Sequence, residues 1–281
     1  MKISAHTLVM NEERFVWYAV KSVIDHVDKM LLWDMGSHDH TAEIVTQLHK
    51  EYPHKVSTNF LHSTDIYEFT KIRQHMLDED SDSDWTILVD GDEIWWGEAI
   101  DEVTTLINKS GRKLDTIVSS YYNCIGDIFH YQGEKYGKYA IDDTQGHITI
   151  RAMNRKIPGL SYKKPHGQQG IFDSDNQLIQ DRNASRRVFL TDKKSYLHMT
   201  HLRRSLQHDS DVPKRLAKYK FMKGNEFPLD FYFPESLFFS KPDNVKSVWE
   251  TRSKKYENKA RIYDLLRRIK NTLPLPEKSG Y

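Results

Sequence analysis

Trp85-Thr86-Ile87-Leu88-Val89-Asp90-Gly91-Asp92-Glu93-Ile94-Trp95-Trp96 is the stretch that decides the fold. An apolar run of strand length ends abruptly in three carboxylates within four residues. A buried strand that delivers clustered carboxylates at its carboxyl end suits a divalent cation carrying phosphates. Asp90 and Asp92 flank Gly91, so both side chains can turn toward one point while the backbone stays close. Alone, a D-x-D tripeptide is more often a solvated acidic turn. Here bulky Trp85, Trp95 and Trp96 bracket the carboxylates, where a solvated turn would carry polar flanks.

Upstream, the pattern alternates between strand and helix. Lys2 to Met10 reads as a first buried strand, interrupted by Asn11-Glu12-Glu13. From Phe15 the apolar positions Val16, Ala19, Val20, Val23, Ile24 and Val27 recur at helical spacing. Lys29 to Trp33 is a second strand, and the polar run Asp34 to Thr41 offers N-caps for a helix that turns Ala42, Ile44, Val45 and Leu48 inward. Lys55 to Leu61 reads as a third strand, and a helix over Ile66 to Leu77 leads through the acidic turn Asp78 to Asp84 into the opening stretch. This alternation predicts an α/β fold with a parallel sheet and right-handed crossovers. In such sheets ligands bind at the carboxyl ends of strands, and Asn11-Glu12, Asp34 and Asp90-Gly91-Asp92 all fall there, after three different strands.

Downstream, Glu98 to Ile107 reads as an amphipathic helix and Leu114 to Tyr122 as another strand. Residues 126–157 carry short β-like pieces such as His147 to Met153, which suggest antiparallel additions to the sheet. Residues 159–180 read as loop, Val212 to Met222 as a basic helix, Phe227 to Phe239 as irregular, and Val245 to Ile269 as helix. The expected division is a domain of residues 1–205, with a nucleotide-binding half over 1–110 and an acceptor half over 111–205. A helical, basic C-terminal extension over 206–281 follows.

Composition narrows the class. Of the 281 residues 38% are hydrophobic and 29% charged, as in an ordinary globular protein. The net charge of +1 gives no global field for nucleic acid. Cys124 is the single cysteine, which excludes an intramolecular disulfide framework and fits a reducing compartment. No apolar run reaches the roughly 20 residues of a membrane helix, and Met1-Lys2-Ile3-Ser4 opens straight into a strand pattern, so a cytoplasmic protein is expected. Residues 241–281 carry eleven Lys or Arg against five Asp or Glu, a net of +6. Such a tail would rest on the inner face of an anionic membrane bearing a lipid-linked acceptor, contact nucleic acid, or pair with its own chain. The acidic positions Glu250, Glu257 and Asp264 favour the last.

Taken as a set, Asn11-Glu12-Glu13, then Asp34-x-Gly36-Ser37-x-Asp39-x-Thr41, then Asp90-x-Asp92-Glu93 after a tryptophan-led strand resembles family 2 glycosyltransferases of the GT-A fold. The match covers roughly residues 3–96. That resemblance implies a mixed, mostly parallel sheet flanked by helices, a nucleotide-diphosphate sugar donor, a carbohydrate or lipid-linked acceptor, and Mn²⁺ or Mg²⁺. It places Asp34 near the nucleoside, and Asp92, with Asp90, on the metal. Asn11, Glu12 and Gly91 belong with the donor loops, although Glu12 serves equally well as a cap of the first helix. Arg73 is placed where similar enzymes face the diphosphate, and a solvated helix position is the alternative. The segment from Arg151 through Tyr162 to His166 resembles the acceptor side of similar bacterial enzymes. His198 and His201 resemble a late histidine that completes the metal shell in some members.

Trp95, Trp96, Tyr162 and Arg203 complete the acceptor-side expectation, with the aromatics stacking on a sugar or serving the core. The sequence departs from the family at His38 and His40, where small residues are usual, and in lacking a recognisable acidic pair for a catalytic base. Asp173, Asp175 and Asp181 lie in the corresponding region without a motif. The expected reaction moves a sugar to an acceptor hydroxyl. Its rivals are a nucleotidyltransferase, against which the missing glycine-rich phosphate loop weighs, and a non-catalytic nucleotide-sugar binding module.

Overall fold

The first strand, β1 (Ile3–Val9), is buried at every position, as a strand covered on both faces must be. In the computed structural model, which describes residues 1–62, 66–164 and 169–272, it lies inside a mixed sheet. The chain continues through α1 (Val16–Lys21), β2 (Lys29–Asp34), α2 (Thr41–Glu51), β3 (Val56–Phe60), α3 (Ile66–Glu79), β4 (Trp85–Leu88), β5 (Glu93–Trp95) and α4 (Gly97–Ser110). Next come β6 (Thr116–Ile125), β7 (Asp127–Tyr131), β8 (Tyr139–Ile141), β9 (Thr144–Gly146), β10 (Ile148–Asn154), β11 (Ser161–Lys163) and β12 (Gly170–Phe172). The last elements are β13 (Arg187–Leu190), β14 (Tyr196–His198), α5 (Arg215–Lys218), β15 (Asn225–Glu226) and α6 (Lys254–Thr272).

The sheet runs β15-β7-β6-β10-β4-β1-β2-β3. Pairings among β1, β2, β3 and β4 are parallel, and β10 joins β4 antiparallel. The expected α/β architecture, with antiparallel strands added after residue 126, is therefore present. Strand order reverses between β1, whose next strand is β2, and β4 on its other side. That junction is the switch point at which a crevice opens. The helices cover the sheet: Ile44, Val45 and Leu48 of α2 are buried as expected while Ala42 is half-buried, and α4 buries Ile100, Val103 and Ile107.

Four elements differ from their expected extent. The helix after Phe15 ends at Lys21 and yields to a 3₁₀ turn over Ile24–His26. The basic stretch from Val212 holds a single helical turn, α5, because Pro213 precedes it and the chain turns extended at Tyr219. Residues 159–180 contain the small β11–β12 hairpin. The last helix starts at Lys254, after a segment in which Leu237, Val245 and Val248 join the main core. Within the tail, Arg252 pairs with Glu257 and Arg267 with Asp264, while Glu250 reaches back to Arg14. No described helix is long and apolar enough to cross a membrane.

Candidate functional site

The turn after β4 is held by its own backbone: Glu93 N–H donates to the Asp90 carbonyl at 3.0 Å. Gly91 is needed there for close approach. A Cβ at that position would lie 2.7 Å from Val9 Cγ1 and 3.3 Å from Glu12 Cγ, so only glycine lets the turn seat against the end of β1. Asp90 and Asp92 thus arrive at the switch point together with Glu12.

Asp90 is claimed by arginines. Arg73 Nη2 of α3 donates to Oδ1 at 2.7 Å and Arg151 Nη2 to Oδ2 at 3.3 Å. Burial works against ionisation of Asp90, but Arg151 and Arg73 outweigh it and hold the carboxyl well below its usual range. Arg151 also pairs closely with fully buried Glu93. It stands at a break in the β10–β6 register between Ile150 and Ala152, and such a bulge re-aims a side chain.

Asp92 is buried and keeps a different company. His198 Nε2 lies 3.5 Å and Arg204 Nη1 3.1 Å from its Oδ2. The histidine is placed by strand pairing: β14 runs between β5 and β6, opposing His198 to Glu93 on one side and to Asn123 on the other. Burial pushes the imidazole down to about 4 despite Asp92, so it is neutral near pH 7 and offers a lone pair. Asp92 Oδ2 and His198 Nδ1 are both buried without a hydrogen-bond partner among the described residues. A buried carboxylate oxygen with ion-pair contacts but no hydrogen bond, beside a neutral imidazole, is a donor set that suits Mn²⁺ or Mg²⁺. Asp90, with both oxygens occupied by guanidinium groups, fits that role less well.

Glu12 is the anchor of the opposite wall. Its Oε1 accepts from Arg204 Nη1 at 2.8 Å and from Arg215 Nη2 at 2.6 Å. Burial raises its carboxyl, against the pull of Arg204 and Arg215. Arg215 also donates to the Met10 carbonyl at 2.9 Å. Glu12 therefore ties the end of β1 to the segment that follows His198, and the cap of the first helix is not its main task.

Asn11 and Asp34 shape the neighbouring loops. Asn11 sits at φ 53°, a left-handed backbone that Asn tolerates. Its side chain accepts from His38 N–H at 2.8 Å and donates to the His208 carbonyl at 3.0 Å. Asp34 is buried, and its Oδ1 accepts from the Ser37 hydroxyl at 2.6 Å and the Ser37 and Gly36 amides at 3.1 and 3.3 Å. His38 and His40 are exposed and pair with Asp211 and Glu43.

Beside these loops opens a cavity of about 800 Å³, whose lining includes neither Asn11 nor Asp34. Of the expected site residues, Glu12, Arg73, Asp90, Gly91, Asp92, Tyr162, His198 and His201 line it. Among the described residues its carboxylates are Glu12, Asp90 and Asp92, each facing arginine.

Several expectations are corrected. Trp95 is fully buried and stacks on Tyr196 at 4.8 Å, so it serves the core. Trp96 packs edge-on against Tyr122 and Phe231 and donates to the Tyr232 carbonyl, away from the cavity lining. Arg203 is exposed, and the adjacent Arg204 is the one turned inward. His201 spends both ring nitrogens on protein: Nδ1 lies 2.5 Å from the Lys218 carbonyl and Nε2 3.2 Å from Asn123 Nδ2. Asp173 caps its own turn, accepting from the Asp175 and Gln177 amides and pairing with Arg182. Asp175 and Asp181 are exposed, and none of the three lines the cavity. His166 lies outside the described residues. Arg204, Arg215 and Lys218 carry no role in the sequence, and Arg151 enters only as the start of the acceptor-side segment. The Arg203-Arg204 pair begins two residues after His201, but no periodicity says which arginine turns inward.

Comparison with protein-family models finds no match, and comparison with curated proteins finds none either. Solved structures do match. S. aureus TarS 1-349 superposes with a TM-score of 0.48 at 13% identity, over 71% of this chain and 61% of that one. Its complex with UDP-GlcNAc gives 0.48 at 15%, over 71% and 58%. Glucosyl-3-phosphoglycerate synthase from Mycobacterium tuberculosis, in complex with Mn²⁺, UDP and phosphoglyceric acid, gives 0.43 at 14%, over 70% of each chain. The chain thus spans about six-tenths of the TarS 1-349 chain.

Proposed function

We propose that this chain is a glycosyltransferase that takes a sugar from a nucleoside-diphosphate donor and delivers it to an acceptor hydroxyl. The observation that carries the reading is the convergence, at the β1–β4 switch point, of buried Asp92 and His198 with the guanidinium groups of Arg73, Arg151 and Arg204 around one large cavity. Breaking a glycosidic bond to a nucleoside diphosphate gathers negative charge on the leaving group. Fixed cations in a cleft sheltered from water stabilise that charge without reorganising.

Asp92 and His198 are the residues that would hold a divalent cation, which supplies Lewis-acid neutralisation of the diphosphate. Asp90 acts beside them by aligning Arg73 and Arg151, whose forked donors suit phosphate oxygens. Asp34, Gly36 and Ser37 give the nucleoside side of the crevice its shape, with Met35 on the cavity wall. Tyr162 lines the cavity beside Arg73.

Thermal-shift titration against UDP-, GDP-, CMP- and dTDP-sugars, with and without MnCl₂, tests the reading. Stabilisation by one donor, enhanced by Mn²⁺ and accompanied by slow release of the nucleoside diphosphate, is expected. Stabilisation by a nucleoside triphosphate together with a sugar phosphate, and by no nucleotide sugar, would instead establish the nucleotidyltransferase alternative.

A further inference from the structure

At the end of the cavity away from Arg73, the lining changes character. Lys138, Lys218 and Lys220 all face it, and no ammonium of the three has an ion-pair or hydrogen-bond partner among the described residues. The nearby Glu134 is already paired with Lys194 at 2.6 Å. The three lining carboxylates are each engaged by arginines, and Lys218 feels them only at longer range. Lys138 and Lys220 are exposed and Lys218 is half-buried, so the three ammonium groups are open to an arriving anion.

The lysines are also held in place. The chain leaves α5 extended at Tyr219, and Lys218 and Lys220 line the cavity while Tyr219 and Phe221 do not. Phe221 packs on Tyr256 and Tyr263 of α6 at 5.2 and 5.8 Å. The carbonyls are pinned in turn: His201 Nδ1 to Lys218 at 2.5 Å, the Tyr256 hydroxyl to Lys220 at 2.8 Å, and Arg267 Nη2 to Phe221 at 2.9 Å. Burial lowers the ammonium of Lys218, with Arg204 adding to the effect. Burial, then Lys138 and Arg267, does the same to Lys220. A backbone fastened at successive carbonyls, with its cations turned into a cleft, is built to receive an anion.

We propose that the wall formed by Lys138, Lys218 and Lys220 binds an anionic group, phosphate or carboxylate, carried by the acceptor. The inference rests on the glycosyltransferase reading for the word acceptor, but the anion site itself stands on the lysines. It assigns the fastened segment 218–222 and helix α6 a part in substrate choice.

Calorimetric titration of the full chain, free and saturated with UDP and MnCl₂, tests it with glycerol 3-phosphate and glucuronate as probes and glycerol and glucose as their neutral counterparts. At least one anion is expected to bind where its neutral counterpart does not, and the stronger arm identifies the group. The exposed pair Lys138→Ala with Lys220→Ala should weaken that binding by about tenfold or more. UDP affinity should stay within about twofold, and Lys50→Ala on α2 should change neither. Absence of anion binding, or binding unchanged in the double variant, overturns the proposal. Loss of UDP affinity with anion binding intact also overturns it, by assigning the lysines to the donor. If UDP fails to bind while lysine-dependent anion binding persists, the donor reading falls and the anion site remains.

Discussion

The two walls of the cavity are made in different ways. The wall from β1, β2 and β4 is regular: buried strands deliver Glu12, Met35, Asp90 and Asp92 just past their carboxyl ends, and apolar packing does the positioning. The facing wall, from His198 to Lys220, has one three-residue strand and one helical turn. It is positioned by charge, since Arg204 and Arg215 both close on Glu12. A regular wall can be rigid without help, whereas an irregular one takes its shape from the groups it meets. The chemistry of this site depends on the second being fitted to the first.

Asp92→Asn strikes the regular wall where the two meet, and it should have the largest effect. The side chain keeps its volume while losing the charge that faces His198 and Arg204, so transfer should fall on the order of 10³-fold with an unchanged circular-dichroism spectrum. Full activity would remove Asp92 from the mechanism. Glu12→Gln strikes the joint itself. Leaving two buried guanidinium groups short of a counter-charge should cost about 3 kcal/mol in urea unfolding. A cost below about 1 kcal/mol would show that apolar contacts alone hold the walls together.

Acid should loosen the irregular wall first. Burial pushes His201 down to about 3 from 6.5, so between those values the unfolded chain binds a proton that the folded chain refuses. Stability should therefore be fully present above pH 6.5 and fall as the pH drops toward 3, at up to about 1.4 kcal/mol per pH unit for that one proton. His198 acts in the same sense down to about 4. His201→Gln should flatten the profile, and an unaltered slope would assign the acid sensitivity elsewhere. The smallest effect belongs to Arg203→Ala, since that side chain is exposed. Activity should remain within about twofold, while Arg204→Lys, which moves the cation away from the point where Nη1 meets both Glu12 and Asp92, should lose far more.

The regular wall was legible because periodicity reports burial. The tryptophan-led strand, the glycine between two aspartates and the inward face of α2 each follow from spacing alone. Asp92 and His198, joined in the sequence only by the family resemblance, lie 3.5 Å apart. The irregular wall was legible only as composition. Nothing local distinguishes Arg203 from Arg204, because the choice is made by Glu12, 192 residues away. His201 looks like a ligand in H-x-x-H, yet its nitrogens are spent on Lys218 and Asn123. Trp95 bracketed the carboxylates as a ligand-facing aromatic would, and the stacking partner that draws it inward, Tyr196, lies about a hundred residues on. Arg151 gains its reach from a bulge, which leaves no mark in the sequence.

The Glu12 joint also sets an order of events in biosynthesis. Glu12 leaves the ribosome early, and Arg204 follows 192 residues later, a wait of about 10–40 s at common elongation rates. During that interval the nascent sheet carries a carboxylate with no counter-charge at the place where its crevice is to close. The early strands can pair, but the mouth of the crevice must stay hydrated until the last third of the chain emerges. A ribosome-bound fragment ending before Arg204 should accordingly show a protected β1–β4 sheet with a solvent-exchanging Asn11–Glu13 turn, and the site would be the last part of the molecule to form.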